Sequence, residues 1–172
     1  PRTPGGVHAS ASAPPRIDAV REDLHPRNVR VAESLVEAGI SAEIVFLPES
    51  AATAAQAAAA LGTDVGSIAN SLVFWCDGRP LLVMTSGAHR VDTAALAARL
   101  DRAVIVRATP EQVRQASGQV IGGVAPCGHP RPLETIVDEQ LATHPVLWAA
   151  AGTAHSVFPL TFDELVRLTR GR

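Results

Sequence analysis

One stretch of the chain, SLVFWCDGRPLLVMTSG at residues 71–87, constrains the fold more than any other. Two apolar runs flank Asp77-Gly78, and an Asp-Gly pair in such a setting is typical of a type I′ turn. The pattern predicts two antiparallel strands joined by a tight turn. The chain is therefore expected to build a sheet around this hairpin.

Helices and strands alternate along the rest of the sequence. Helical spacing and capping residues predict helices over residues 25–39, 49–62, 88–100, 108–118, 138–144 and 161–170. Apolar or alternating runs predict strands over residues 42–48, 103–107, 133–138, 146–152 and 155–160. The fold class is therefore α/β (α+β), with a mixed, largely antiparallel β-sheet surrounded by helices.

The length of 172 residues favours one domain, and a hydrophobic content of 47% is ample for a core. Residues 1–15 are rich in Pro, Gly, Ser and Ala without periodicity, which predicts a flexible N-terminal tail before a single domain at 16–172. No apolar run reaches the length of a membrane span, and the N-terminus lacks a secretory signal pattern. We therefore expect a cytoplasmic protein without membrane contact, in which Cys76 and Cys127 are free thiols.

The charge pattern restricts the partners and the chemistry. A net charge of −2 argues against a DNA-binding protein with a broad basic surface, but it allows a small basic patch that grips one end of an RNA. The sequence contains no lysine, so all 15 basic residues are arginines. Because arginine stays protonated, no lysine-type base or Schiff base is available.

The loop GGVAPCGHP, at residues 122–130, is the most unusual segment. Gly122, Gly123 and Gly128 allow the backbone to approach a ligand closely and to direct N–H groups at it. Pro126 and Pro130 stiffen the loop. Such a loop can hold a carbonyl oxygen or an ester without any side chain. The alternative is a tight connection between two elements.

Other reactive side chains give weaker evidence. His89, His129 and His155 follow Gly-containing strand ends, where clefts usually form, although a histidine in such a place is more often structural. The spacing of Cys127 and His129, without a second Cys/His cluster, predicts no metal site. The chain has neither a G-x-S-x-G nucleophile motif nor a phosphate-binding P-loop, and no cofactor is expected.

The order of four segments, ANSLVF, GRPLLVMTSG, TPEQVRQASGQVIGGVAP and VLWAAAGTAHSVFPLTFDEL, resembles the YbaK/EbsC family. This is the aminoacyl-tRNA deacylase domain that occurs free-standing and as the insertion domain of bacterial prolyl-tRNA synthetases. The G-x-x-x-P loop, here Gly122 to Pro126, is the most specific match. The resemblance implies a mixed sheet with surrounding helices and a trans-editing hydrolase that removes wrong amino acids, such as alanine or cysteine, from the proline tRNA. The resemblance further implies that water cleaves the ester with the help of a ribose hydroxyl, so that no protein nucleophile is needed.

The resulting hypothesis assigns catalytic roles to four residues: Asn70, Gly122, Gly123 and Pro126. It assigns substrate binding to a second set near Gly-containing strand ends: Ser71, Ser86, Gly87, His89, Arg90, Gly152 and His155. The partner is the acceptor end of an aminoacyl-tRNA. Oligomeric state, a homodimer included, stays open.

Asn70 departs from the family pattern, because the well-studied branches of the family have a lysine at this position. An asparagine forms hydrogen bonds but supplies no charge. The loss of one charge-assisted contact is worth about 1.5–3 kcal/mol. The chain therefore has a different substrate, which we favour, or another cation nearby such as Arg90 or a protonated histidine, or no activity. A non-catalytic binder of an aminoacyl-tRNA end, nucleotide or amino acid is the alternative function, and a structural interaction domain is a third.

Overall fold

A computed structural model describes residues 24–172, so the predicted tail at residues 1–15 lies outside the described residues. In this range the helices are α1 (Pro26–Glu37), α2 (Ala54–Leu61), α3 (Thr93–Arg99), α4 (Pro110–Ser117) and α5 (Phe162–Thr169). The strands are β1 (Val45–Phe46), β2 (Ile68–Cys76), β3 (Arg79–Ser86), β4 (Ile105–Arg107), β5 (Glu134–Val137), β6 (Leu147–Ala150) and β7 (Ser156–Leu160). Short 3₁₀ helices span Val65–Ser67 and Glu139–Thr143.

The seven strands form one sheet in the order β1-β7-β6-β2-β3-β5, and β4 pairs with the far end of β2. Four pairings are antiparallel, namely β1 with β7, β2 with β3, β2 with β4 and β6 with β7. The β2–β6 and β3–β5 pairings are parallel. The predicted mixed, largely antiparallel sheet surrounded by helices is confirmed.

The central hairpin forms as predicted. Asp77 and Gly78 have φ values of 49° and 77°, and two positive values define a type I′ turn. Strand β2 begins at Ile68, however, and not at Ser71, because Ile68 and Ala69 pair with β6. Asn70 therefore lies within the strand and not before it.

Helix ends follow local capping chemistry. Thr53, Thr109 and Thr161 each accept a hydrogen bond from the backbone three residues later and close a capping box. Gly62 and Gly118 end their helices in the left-handed conformation. The helices predicted from residues 49 and 88 start later, at Ala54 and Thr93, because their caps lie at Thr53 and Asp92.

The sheet carries apolar clusters on both faces. On one face, Ala69 and Val73 of β2 pack with side chains of α1, α4 and α5. On the other face, Phe74 and Cys76 pack with Ala97 of α3. The side chains of β2 thus alternate between two cores, as strand geometry requires. No helix within residues 24–172 is both long and apolar enough to cross a membrane.

Candidate active site

The sheet has a gap on one edge of its central strand. β6 pairs with β2 only at Ile68 and Ala69, and β4 pairs with it only from Phe74 to Cys76. Between these two stretches, residues 70–73 have no strand opposite them on that edge within the described chain. A cavity of about 320 Å³ opens at this gap, and all four of these residues line it.

The remaining cavity walls come from the start of α2, the end of β4, the Gly/Pro loop and the strands β6 and β7. Most of these side chains are apolar: Ala51, Ala52, Ala54, Ala57, Ala108, Val113, Ile121, Val124, Trp148, Ala150 and Val157. Among the described residues that line the cavity, Arg107 is the only charged one, and none is a carboxylate, histidine or cysteine. The cavity thus holds no side chain that could act as a nucleophile apart from the hydroxyls of Ser71 and Thr53.

Asn70 is half-buried at this gap, and its side-chain amide makes no hydrogen bond within residues 24–172. Ser71 also lines the cavity, but its hydroxyl lies 3.3 Å from the Met84 sulfur. Asn70 therefore offers an unoccupied donor and acceptor, whereas the Ser71 side chain already has a partner. The polar pair at the start of the SLVF segment thus lies beside a cavity.

Along residues 122–125 of the Gly/Pro loop, backbone N–H groups with and without an acceptor alternate. Those of Gly123 and Ala125 turn into the protein, where they donate to the Val120 carbonyl (2.9 Å) and the Gln119 Oε1 (2.7 Å). Those of Gly122 and Val124 have no acceptor within residues 24–172, and both residues line the cavity. Every second N–H of this segment is therefore available to a ligand.

Close packing fixes the position of this loop. Gly122 has a φ of 87°, and a Cβ there would lie 2.9 Å from the Cβ of Ala52. A Cβ on Gly123 would lie 2.6 Å from the Thr153 carbonyl carbon. The buried Gln119 side chain further joins the two ends of the loop, because its Nε2 donates to the Cys127 carbonyl (3.1 Å). Backbone donors held this rigidly are suited to electrostatic stabilisation of a carbonyl oxygen.

A family model described as an aminoacyl-tRNA editing domain matches residues 48–168, which include the cavity and the loop. The chain belongs to this family. The proline–tRNA ligase of Bacillus licheniformis is 33% identical over 136 residues, which make up 76% of this chain but only 23% of the ligase. The chain thus spans less than a quarter of that relative.

Two further proteins are similar over most of their length. The uncharacterized protein YwhH of Bacillus subtilis is 31% identical over 130 residues, covering 72% of this chain and 78% of YwhH. A crystal structure of a candidate trans-editing enzyme for prolyl tRNA synthetase is 39% identical, with a TM-score of 0.79 over 87% of this chain and 95% of that one. An editing domain of this type therefore also occurs outside a synthetase-sized chain.

Several predicted site residues of this editing domain do not line the cavity. Gly123 and Pro126 are buried and absent from the cavity lining. Pro126 instead borders a second groove, which is formed by residues of α1, of the chain from Pro126 to Leu133 and of the end of α5. Ser86 is fully buried, and its hydroxyl donates to the Gly66 carbonyl (2.9 Å). A Cβ on Gly87 would lie 2.5 Å from the Val65 carbonyl oxygen, so close backbone packing explains this glycine. Direct substrate contact by these four residues stays a prediction that the cavity does not support.

Gly152 and His155 are also outside the cavity lining. Gly152 has a φ of 99°, and a Cβ there would lie 2.9 Å from the Cβ of Arg27, so this glycine permits the packing of α1. The side chain of His155 is exposed, and its carbonyl accepts a hydrogen bond from the Leu47 N–H (2.7 Å). Both residues join the last two strands to other elements.

His89 belongs to a separate polar cluster, and Arg90, which follows it, is exposed and also lies outside the cavity lining. The Nδ1 of His89 lies 2.7 Å from the Asp138 carboxylate, which also accepts a hydrogen bond from the Ser86 N–H (3.1 Å). Burial by itself raises the pKa of Asp138, but hydrogen bonds from Ser86, Gln140 and His89 outweigh it and hold this pKa below its ordinary value. The cluster ties the end of β3 to the start of the 3₁₀ helix Glu139–Thr143. It is not a Ser-His-Asp triad, because the Ser86 hydroxyl donates to the Gly66 carbonyl.

Replacing Asp138 by asparagine should lower the free energy of unfolding at pH 7 by about 1.5–3 kcal/mol, the usual contribution of hydrogen bonds to a charged acceptor. The native pKa is depressed, so this stabilisation is present above the unfolded pKa of about 3.9 and is lost as the pH falls through the native value. Urea unfolding of both proteins along a descending pH series measures the effect. A difference between them that stays constant into strong acid would contradict this prediction.

The second groove contains the thiol and imidazole that a metal site would need. Burial raises the pKa of the Cys127 thiol to about 12, which makes it a poor metal ligand. Burial also lowers the pKa of His129, whose Nε2 lies 2.8 Å from the Ala125 carbonyl. Within residues 24–172, no three His, Cys, Asp or Glu side chains are grouped so as to hold a metal.

Arg107 is the main residue that the sequence analysis missed. The segment AVIVR was predicted to be a buried strand, but Val106 and Arg107 are exposed, and only Ile105 is buried. Arg107 forms no salt bridge with any residue of the described range. A charged residue at the end of a short apolar strand was the available clue. Its position on the same cavity as Asn70 became visible only from the β2–β4 pairing.

Proposed function

We propose that this editing domain hydrolyses the ester that joins a small, uncharged amino acid to the 3′ end of a tRNA. One observation carries the proposal, namely that Gly122 and Val124 line a cavity with mostly apolar walls, while their N–H groups have no acceptor within residues 24–172. A carbonyl oxygen is the acceptor that such paired donors suit. Hydrolysis of a tRNA ester also accords with a cytoplasmic location.

The cavity walls favour small and uncharged side chains. Alanine, valine and isoleucine residues form most of the surface, and no carboxylate lines it. A charged amino-acid side chain would lose its hydration there without gaining a partner, which is energetically costly. The amino acid removed is therefore expected to be aliphatic or weakly polar.

Water is the nucleophile in this proposal. Its oxygen forms a bond to the ester carbon, and the carbonyl oxygen gains negative charge, which the Gly122 and Val124 N–H groups stabilise. The bond from the carbon to the ribose oxygen then breaks, the ribose oxygen takes up the proton that the attacking water loses, and the free amino acid leaves. Asn70 supplies a neutral hydrogen-bonding group for the ribose at the open side of the cavity.

Arg107 supplies the charge that Asn70 lacks. It is exposed, lines the same cavity and forms no salt bridge within residues 24–172. A guanidinium group in this setting is suited to a phosphate oxygen. We therefore assign the terminal phosphate of the tRNA to Arg107 and not to Arg90, which lies outside the cavity lining.

A panel of tRNAs charged with alanine, cysteine, serine, lysine and glutamate tests the function, with the enzyme in excess. The expected result is hydrolysis of one or more of the small neutral esters and of neither charged one. No cleavage above the buffer rate for any ester would overturn the proposal. Thermal stabilisation by an aminoacyl-adenosine ester that stays intact would then identify a non-catalytic binder.

A further inference from the structure

The main chain of Ser71 has an unusual position in the sheet. We infer that its N–H and C=O groups, which lie on the open edge of β2, form a subsite for the bound aminoacyl ester. This subsite recognises the α-amino group and the carbonyl group of the ester. This inference rests on the proposed function and specifies its substrate class as α-amino acyl esters. It assigns to the backbone a role distinct from the proposed roles of Asn70 at the ribose and of Arg107 at the phosphate.

The direction of the Ser71 main chain follows from strand alternation. The Gly87 N–H donates to the Ile68 carbonyl (2.8 Å), so the main-chain groups of Ile68 face β3. Because these groups alternate along a strand, those of Asn70 and Leu72 also face β3, and those of Ser71 face the opposite edge. The Ala108 N–H donates to the Val73 carbonyl (3.2 Å) on that opposite edge, which confirms the alternation.

Neither neighbouring strand reaches Ser71 on that edge. The pairing with β6 ends at Ala69–Ala149, and the pairing with β4 starts at Phe74–Arg107. No hydrogen bond links the Ser71 backbone to another loop or side chain within residues 24–172. Its side chain cannot fill the gap, because the hydroxyl is directed at Met84.

Ser71 therefore presents one donor and one acceptor to the gap, inside a largely apolar cavity. Polar backbone groups in such surroundings are almost always paired in the functional state of a protein. An α-aminoacyl ester carries the complementary groups, because its ammonium donates and its carbonyl accepts. The ammonium would pair with the Ser71 carbonyl, and the ester carbonyl with the Ser71 N–H. The Gly122 and Val124 N–H groups would then also donate hydrogen bonds to the carbonyl oxygen as its negative charge develops.

This arrangement selects for the α-amino group itself. A propionyl ester has the carbon skeleton of an alanyl ester but lacks the ammonium, so it leaves the Ser71 carbonyl unpaired. Loss of one hydrogen bond to a charged group should weaken binding by about 10- to 150-fold. Apolar contacts with the cavity walls would be the same for both ligands.

Amide hydrogen exchange measured by NMR on the full chain tests the subsite without any substitution. The probes are adenosine carrying an amide-linked L-alanyl group at its 3′ position and the matching propionyl compound. In the free protein, the Ser71 N–H should exchange at least about tenfold faster than the Asn70 and Leu72 N–H groups, which face β3. Saturation with the alanyl compound should slow Ser71 by a similar factor, and the propionyl compound should bind about 10- to 150-fold more weakly.

Two results would overturn the subsite alone. One is a Ser71 N–H that exchanges as slowly as its neighbours in the free protein. The other is binding of the alanyl compound, seen as a shift of the Asn70 side-chain amide, with unchanged Ser71 exchange or with equal affinity for the propionyl compound. Failure of both compounds to shift any resonance, together with no cleavage in the tRNA panel, would overturn the proposed function as well. Protection of Ser71 together with no cleavage in the tRNA panel would support the subsite and overturn hydrolysis.

Discussion

Replacing Gly122 by alanine should lower kcat for ester hydrolysis by about 10²–10³-fold, the usual cost of losing one donor to the developing oxyanion. The added Cβ would lie 2.9 Å from the Cβ of Ala52, and a φ of 87° is strained for alanine. The loop must therefore shift, and the Gly122 and Val124 N–H groups move away from the carbonyl oxygen. Single-turnover hydrolysis of the best substrate of the tRNA panel measures the effect.

Gly128→Ala is the matched control for this substitution. Gly128 lies in the same loop with a φ of 75°, and its added Cβ would meet the Val31 N at 3.1 Å, so the backbone strain is similar. It does not line the cavity. Both variants should lose stability, but only Gly122→Ala should lose most of its rate per folded molecule. Equal losses of rate in the two variants would show that the loop acts only through its stability.

Replacing Arg107 by glutamine should lower kcat/KM for the tRNA substrate by about 10- to 150-fold, because a charge-assisted contact to phosphate is lost. The dependence of affinity on salt should also weaken, by about 0.7 in the slope of log K against log salt concentration. Steady-state kinetics at several salt concentrations measure both quantities. The effect on kcat at saturating substrate should be smaller, because Arg107 is placed on the phosphate and not on the ester.

Arg90→Gln separates this assignment from the prediction made from sequence. Arg90 is also exposed, but it follows the Ser86–His89 turn and does not line the cavity. Its replacement should leave kcat/KM within about twofold of the wild-type value, as expected for an exposed side chain without a phosphate contact. A larger loss for Arg90→Gln than for Arg107→Gln would mean that the substrate enters from the His89 side.

The asparagine at position 70 is easier to explain once Arg107 is known to line the same cavity. Within this family the sequence departs from the expected lysine, and three explanations were open, namely a different substrate, another cation or lost activity. Arg107 lies on the same cavity as Asn70, so we propose the second explanation with Arg107 as the cation, whereas the sequence analysis named Arg90 or a protonated histidine. In this proposal, the charged group of Arg107 on β4 and the neutral amide of Asn70 on β2 together take the place of one lysine.

The site could be predicted from the sequence only in part. The Gly/Pro loop, Asn70 and Ser71 were predicted to form one site, and Gly122, Asn70 and Ser71 line the same cavity. The histidines and glycines at strand ends were grouped with them because strand ends often border clefts. The structure instead gives Ser86 and Gly87 packing roles, because their backbone lies against Gly66 and Val65.

The sequence by itself determined the turns and the helix ends. The Asp77-Gly78 turn, the Thr109 capping box and the left-handed end at Gly118 all arise from contacts between residues a few positions apart. Such contacts depend on side-chain type and spacing, which the sequence states directly. The central hairpin and the helix ends were predictable for this reason.

The tertiary structure alone decided where the sheet stays open. The gap beside Ser71 exists because β6 pairs with the first residues of β2 and β4 with the last ones, and these strands lie far from β2 in the sequence. Their registers are set by packing of both cores against the helices, which no local pattern encodes. The register of β4 against β2 also brings Arg107 to the cavity that Asn70 lines. The positive charge at this cavity therefore depends on the tertiary structure.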